Sequence, residues 1–122
     1  MANDDKVVIN LATGLEDPER VTVALLVGGA AVQKGKQVAM FLTKEAVRLA
    51  LPGVAEGVAC ETCPPLASLY AQYAEGGGEL LVCPYCFDAR GLNADELVEH
   101  ARIAGASPLF DWMEGGATVF SY

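Results

Sequence analysis

A chain of 122 residues, 52% hydrophobic with 13 glycines and 4 cysteines, is long enough for a single domain (1–122) whose core needs no disulfide staples. Its formal net charge of −8, with Lys and Arg scattered, excludes a sequence-independent grip on phosphate backbones, so nucleic acid is not an expected partner. The acidic start lacks the basic and apolar regions of a secretory signal, and the longest apolar run, 21–32, is too short to span a bilayer. A cytoplasmic protein with no membrane span is therefore expected, its cysteines reduced.

In chain order, Lys6–Leu11 (KVVINL) is a short β-branched apolar run and reads as a buried strand. Asp17 as N-cap with Pro18 at the first helical position starts a helix that runs to about Lys34 and stops at Gly35. This helix is apolar nearly all round, so burial on more than one side is expected, and with it a homo-oligomer. Gln37–Leu42 (QVAMFL) is a second strand, after which Thr43 caps a helix through Leu51 that Pro52 and Gly53 end. Residues 54–63 are irregular or hold a short strand, and Pro64-Pro65 opens a helix to about Glu75, closed by Gly76, Gly77 and Gly78. Residues 79–83 (ELLVC) form a strand, followed by one or two helical turns ending at Gly91. Asn93 and Glu96 make a capping-box-like pair for a helix through Ala104. Ser107-Pro108 begins a last short helix, and residues 117–121 are the final strand.

Strands alternating with helices predict an α/β fold: a three-layer domain with a central, mainly parallel sheet. In such sheets chemistry gathers beyond the carboxyl ends of the strands, where Cys83 sits. A cysteine at a strand end followed by Pro84 and a helical turn faces backbone N–H groups that favour a thiolate. Cys86 lies three residues on, near enough to resolve a mixed disulfide or accept sulfur, and Arg90 adds positive charge if it folds back over the turn. Cys83, Cys86 and Arg90 are thus the candidate catalytic residues. Cys-Pro-Tyr-Cys by itself resembles the glutaredoxin motif, which would make the pair a dithiol–disulfide couple, although that motif belongs early in its fold and this one is late.

Cys60-x-x-Cys63 and Cys83-x-x-Cys86 stand 19 residues apart, a spacing that also fits a four-thiolate zinc site. Against zinc, the second pair opens a helix after a buried strand instead of sitting on a turn between short strands, and no resident metal or cofactor is expected. Neither glycine cluster is a phosphate loop: Gly28-Gly29 precedes no helix start, and Gly76 to Gly78 lead into a strand. His100, the single histidine, reads as a surface or interface residue on a helix.

Taken together, VVINLATG, Asp17-Pro18-Glu19-Arg20, VAMFLT with Glu45-Ala46-Val47-Arg48, and above all LLVCPYCFDARGL resemble the DsrE-like (DsrE/DsrF-like) sulfur-relay family over nearly the whole chain. The resemblance implies a compact α/β fold, assembly as trimers or hexamers, and a strand-end cysteine upstream of an Arg-Gly pair that carries sulfur as a persulfide. Cys83, with Arg90-Gly91 downstream, occupies that position, whereas Cys60 and Cys63 lie outside the relay motif. The expected function is a sulfur carrier or sulfurtransferase-like protein exchanging sulfur with a partner protein, with a dithiol oxidoreductase or a four-cysteine zinc module as alternatives.

Overall fold

The computed structural model describes residues 5–56 and 65–122. Strand β1 (Lys6–Leu11) pairs in parallel with β2 (Gln37–Leu42) from Lys6↔Gln37 to Leu11↔Leu42. β3 (Glu79–Val82) joins the far side of β2, β4 (Ala101–Ile103) joins β3, and β5 (Thr118–Ser121) joins the free side of β1. The order is β4-β3-β2-β1-β5, and every pairing is parallel. Parallel neighbours cannot be joined by tight hairpins, so the connections carry the helices back across the sheet faces.

The period-2 pleat sends alternate side chains to two cores. Val7, Ile9, Leu11, Val38, Met40, Leu42, Leu80 and Val82 join the larger one, with Val21, Leu25 and Ala31 of α1 (Pro18–Gln33) and Leu66 and Tyr73 of α2 (Leu66–Glu75). Ala39 and Leu81 point the other way, into a smaller cluster with Ala104 and with Leu109 and Trp112 of α4 (Ala106–Trp112). Helices on both faces make the α/β architecture read from the sequence. They also explain why the strands are continuously apolar instead of alternating.

Helix α1 starts as its sequence dictates, with Asp17 Oδ1 accepting the backbone N–H of Arg20 at 3.2 Å and Pro18 in the first turn. Gly28 lets it sit close to the sheet: a Cβ there would lie 3.1 Å from Ile9 and 3.2 Å from the Tyr73 ring. Its outer side leaves Val23 and Leu26 exposed, apolar groups that no described element covers.

Three elements depart from expectation. The segment after β2 is a 3₁₀ helix, Lys44–Ala50, not an α-helix; Thr43 makes no side-chain cap bond, and Lys44 takes a left-handed φ of 52°. Asn93 does not open a long helix. Its side chain accepts the N–H of Asp95, two residues on, a local turn that satisfies the amide without α-helix. Only Ala94–Glu96 is helical (3₁₀), and residues 101–103, expected inside that helix, form β4 instead. The open edge of β3 supplies the reason: Leu80 N–H donates to the His100 carbonyl and Ala104 N–H to the Val82 carbonyl, so sheet pairing outcompetes weak local helix propensity. The third strand proper ends at Val82, one residue before Cys83.

At the amino ends of the strands, Lys6 Nζ donates to the carbonyls of Trp112 and Glu114, each at 2.9 Å. It thereby caps the carboxyl end of α4, where a cation is favoured. Trp112 Nε1–H donates to Glu79 Oε2 at 3.2 Å, so one network ties α4 to β1 and β3.

His100, read from the sequence as a surface or interface residue on a helix, stands instead just before the edge strand. Its ring packs edge-on against Tyr70 and Tyr73, with centroids 5.3 and 6.5 Å away, and Nε2 is buried with no hydrogen-bond partner among the described residues. Burial lowers its pKa below 6.5, with Glu99 opposing the shift. The folded state therefore resists a proton that the unfolded chain accepts. Above the unfolded value both states are neutral; as pH falls through 6.5, the unfolded chain protonates first and stability is lost. Urea midpoints are expected to drop between about pH 7.5 and pH 5.5, and to drop less for His100→Phe. An equal fall in both proteins would show that His100 is not responsible.

Candidate thiol site

The carboxyl ends of the three inner strands are aligned by hydrogen bonds that run one residue past the strands. Cys83 N–H donates to the Leu42 carbonyl at 3.0 Å, Thr43 N–H to Leu11 at 3.1 Å, and Ala12 N–H to Tyr122 at 3.0 Å. Cys83, Thr43 and Ala12 consequently stand abreast at one end of the sheet. Pro84 has no N–H to extend β3 and is pre-set for a first helical position, so the chain turns there into α3 (Pro84–Ala89).

Cys83 is the N-cap of α3, and its side chain makes no cap hydrogen bond. Phe87 anchors the turn: its ring is 1% exposed, and its N–H donates to the Cys83 carbonyl at 3.0 Å. Tyr85 is 83% exposed and stands out between the two cysteines in sequence. Both Cys83 and Cys86 are free thiols of intermediate burial, and Cys86 packs against the larger core. Gly91, at a φ of 64°, ends the segment with its N–H on the Asp88 carbonyl.

Arg90 does fold back over the turn, its Nη1–H donating to the Cys86 carbonyl at 3.1 Å. Its Nε–H donates to Glu45 Oε2 at 2.6 Å, and the other oxygen of Glu45 accepts from Arg48 Nε at 2.8 Å. These two hydrogen bonds, that from Arg90 first, hold the Glu45 carboxyl below its ordinary pKa. Among the described residues, neither cysteine sulfur receives a hydrogen bond from Arg90. Glu45 was not singled out as a site residue in the sequence. It lies 45 positions from Arg90, and only the parallel register of β2 and β3 brings the two together.

The backbone around Glu45 is tightly set. Lys44 precedes it in the left-handed region, which is uncommon outside glycine and costs energy that surrounding contacts must hold in place. The loop after β1 closes in from the other side: a Cβ on Gly14 would lie 2.6 Å from the Glu45 carbonyl oxygen. The loop after β1 thus backs the Glu45 main chain, whose carboxylate reaches the guanidinium at the end of α3.

Cys60 and Cys63 lie outside the described residues. Among the described residues, no group of three or more His, Cys, Asp or Glu side chains is arranged to hold a metal ion, and no helix is long and apolar enough to cross a membrane.

The E. coli ychN protein has the same fold, with a TM-score of 0.76 at 18% identity over 97% of this chain and 99% of its own. MTH1491 of Methanobacterium thermoautotrophicum, a protein of unknown function, superposes with a TM-score of 0.67 at 13% identity, covering 98% of this chain and 100% of its own. In sequence, the uncharacterized protein MK0008 of Methanopyrus kandleri is 25% identical over 97% of this chain and 94% of its own. The uncharacterized MJ0760 of Methanocaldococcus jannaschii is 26% identical over 90% of this chain, which spans 40% of that longer protein. The profile of the DsrE/DsrF-like family matches residues 5–122, from the residue before β1 through the residue after β5, and the chain belongs to that family.

Proposed function

We propose that the protein is a thiol-based sulfur carrier, with sulfurtransferase-like chemistry, that holds sulfane sulfur as a persulfide on Cys83. The observation that carries this reading is a free cysteine at the β3–α3 junction, at the carboxyl end of a parallel sheet, in a chain of the DsrE/DsrF-like family. The Cys83 thiolate attacks the terminal sulfur of a donor persulfide. A new S–S bond forms at Cys83, the donor's S–S bond breaks, and the donor leaves as its thiolate. The sulfane sulfur keeps its proton, so the exchange needs no outside oxidant or reductant. Transfer onward repeats the step, with Cys86 or a thiol of an acceptor protein as nucleophile.

Arg90, paired with Glu45 in the free protein, is the cation that would stabilise the sulfur anion once it forms. The exposed Val23 and Leu26 on α1 support assembly as a homo-oligomer, a trimer or hexamer in this reading, and the working compartment is the cytoplasm.

Intact-mass spectrometry after incubation with a persulfide donor tests the function. The expected product gains the mass of one sulfur atom, removable by a thiol reductant and mapped to Cys83. A loss of two hydrogens linking Cys83 to Cys86 would replace the carrier with a dithiol oxidoreductase. A zinc adduct that blocks all labelling until chelation would replace it with a metal module.

A further inference from the structure

Arg90 is the cation nearest the α3 turn in sequence, yet its hydrogen bonds are given to Glu45 and to the Cys86 carbonyl. The Arg90 side chain is 22% exposed, the most buried partner in any described ion pair. Glu45 also takes Arg48, so a single carboxylate is shared by two guanidiniums. Its position is enforced by the left-handed backbone of Lys44 and by Gly14 closing on its carbonyl. A surface ion pair of no consequence would not need such a fixed backbone.

We propose that Glu45 is a positioning residue that restrains Cys83 by holding Arg90 away from the sulfur. The inference rests on Cys83 being the reactive thiol. In the resting protein the hydrogen bonds of Arg90 go to Glu45 and the Cys86 carbonyl, not to the Cys83 sulfur. When Cys83 bears a negative charge, as thiolate or deprotonated persulfide, it competes with Glu45 for the guanidinium N–H groups. A carboxylate and a sulfur anion then share one cation, and the charge state of the sulfur decides which of them holds it. The charged residues of the adjoining elements are Lys44, Glu45 and Arg48 of the 3₁₀ helix, Asp88 of α3 and its C-cap Arg90; Glu16, in the loop after β1, accepts the N–H of Gly14.

The test is the pH profile of Cys83 alkylation by neutral iodoacetamide, with the labelled peptide identified, in the full chain carrying Glu45→Gln. Freeing Arg90 is expected to lower the midpoint by about one unit. Nucleophilicity falls as the thiolate becomes more stable, so the rate at neutral pH should rise only about threefold. Glu45→Asp, which keeps the charge, should stay near the wild-type midpoint. In an Arg90→Met background, Glu45→Gln should move the midpoint much less, because the restraint works through Arg90. An undiminished shift there would mean that Glu45 acts on the sulfur directly and would overturn the proposal, as would a midpoint that rises or does not move. Should Arg90→Met fail to fold, Arg90→Lys serves in its place, since lysine lacks the paired donor geometry. If Cys83 labels no faster than the other cysteines in the wild type, the carrier reading itself fails. If Cys83 labels first and Glu45→Gln has no effect, only this inference does.

Discussion

Cys83→Ser is expected to bring persulfide loading down to the level seen without a donor, while Cys86→Ser still loads. Serine matches cysteine closely in size and can occupy the N-cap of α3, a position where a hydroxyl is well suited to accept a backbone N–H. The fold should therefore survive and only the chemistry be lost, because an oxygen at that position cannot hold a sulfane sulfur. Cys86 lies inside α3 and packs against the larger core, so its removal costs some packing but leaves the strand-end thiol in place. The measurement is cyanolysable or mass-detected sulfur per chain after donor treatment, with circular dichroism confirming both folds. Loading that survives Cys83→Ser and vanishes in Cys86→Ser would move the carrier role to Cys86.

The second large effect falls on stability. Gly14→Ala is expected to destabilise the protein by about 3 kcal/mol, the upper part of the usual cost of overpacking. The added methyl would meet the Glu45 carbonyl oxygen at 2.6 Å, its carbonyl carbon at 2.8 Å and its Cβ at 2.9 Å. Two of those atoms are backbone, held on one side by the Lys44 turn, and cannot swing aside as a side-chain tip would. In a chain of this size each kcal/mol moves the melting temperature by roughly 4 °C, so a fall on the order of 10 °C is expected. Gly29→Ala is the control: a Cβ there meets nothing within 4 Å among the described residues, and alanine favours the interior of α1. If Gly14→Ala melts with the wild type, the β1 loop is not locked against Glu45 as described.

How much of this was legible in the sequence follows from the range of the forces involved. β1, β2 and the start of α1 were readable because local signals agree there: short, mostly apolar runs of strand length, and an Asp-Pro pair whose cap bond forms as its chemistry predicts. β4 was not, because three residues are too few for any period to show, and its pairing is decided by the neighbouring edge of β3. The 3₁₀ form of Lys44–Ala50 was hidden for a similar reason. Thr43 looks like a cap, but the geometry there is set by a left-handed Lys44 and by the Glu45 backbone lying against the loop after β1. At the site, Cys83 was legible as a strand-end cysteine before a proline, and Arg90 as a residue able to fold back. Their partner Glu45 was not, since its link to Arg90 exists only once β2 and β3 lie side by side.

The strand order has a consequence for how the chain comes together in time. β1 is flanked by β2, which follows closely in sequence, and by β5, whose register couples Val7 to Thr118 across most of the protein's length. Strands β2, β3 and β4 can add outward from β1 in the order of synthesis, each closing a shorter loop than the last pairing must. One side of β1 stays bare until β5 arrives. Throughout that interval the hydrogen-bonding groups along Val7 to Asn10 form an open template, flanked by some of the most apolar side chains in the molecule. Folding should therefore finish with a slow, long-range step, and a nascent or partly folded chain is most vulnerable to mispairing along β1.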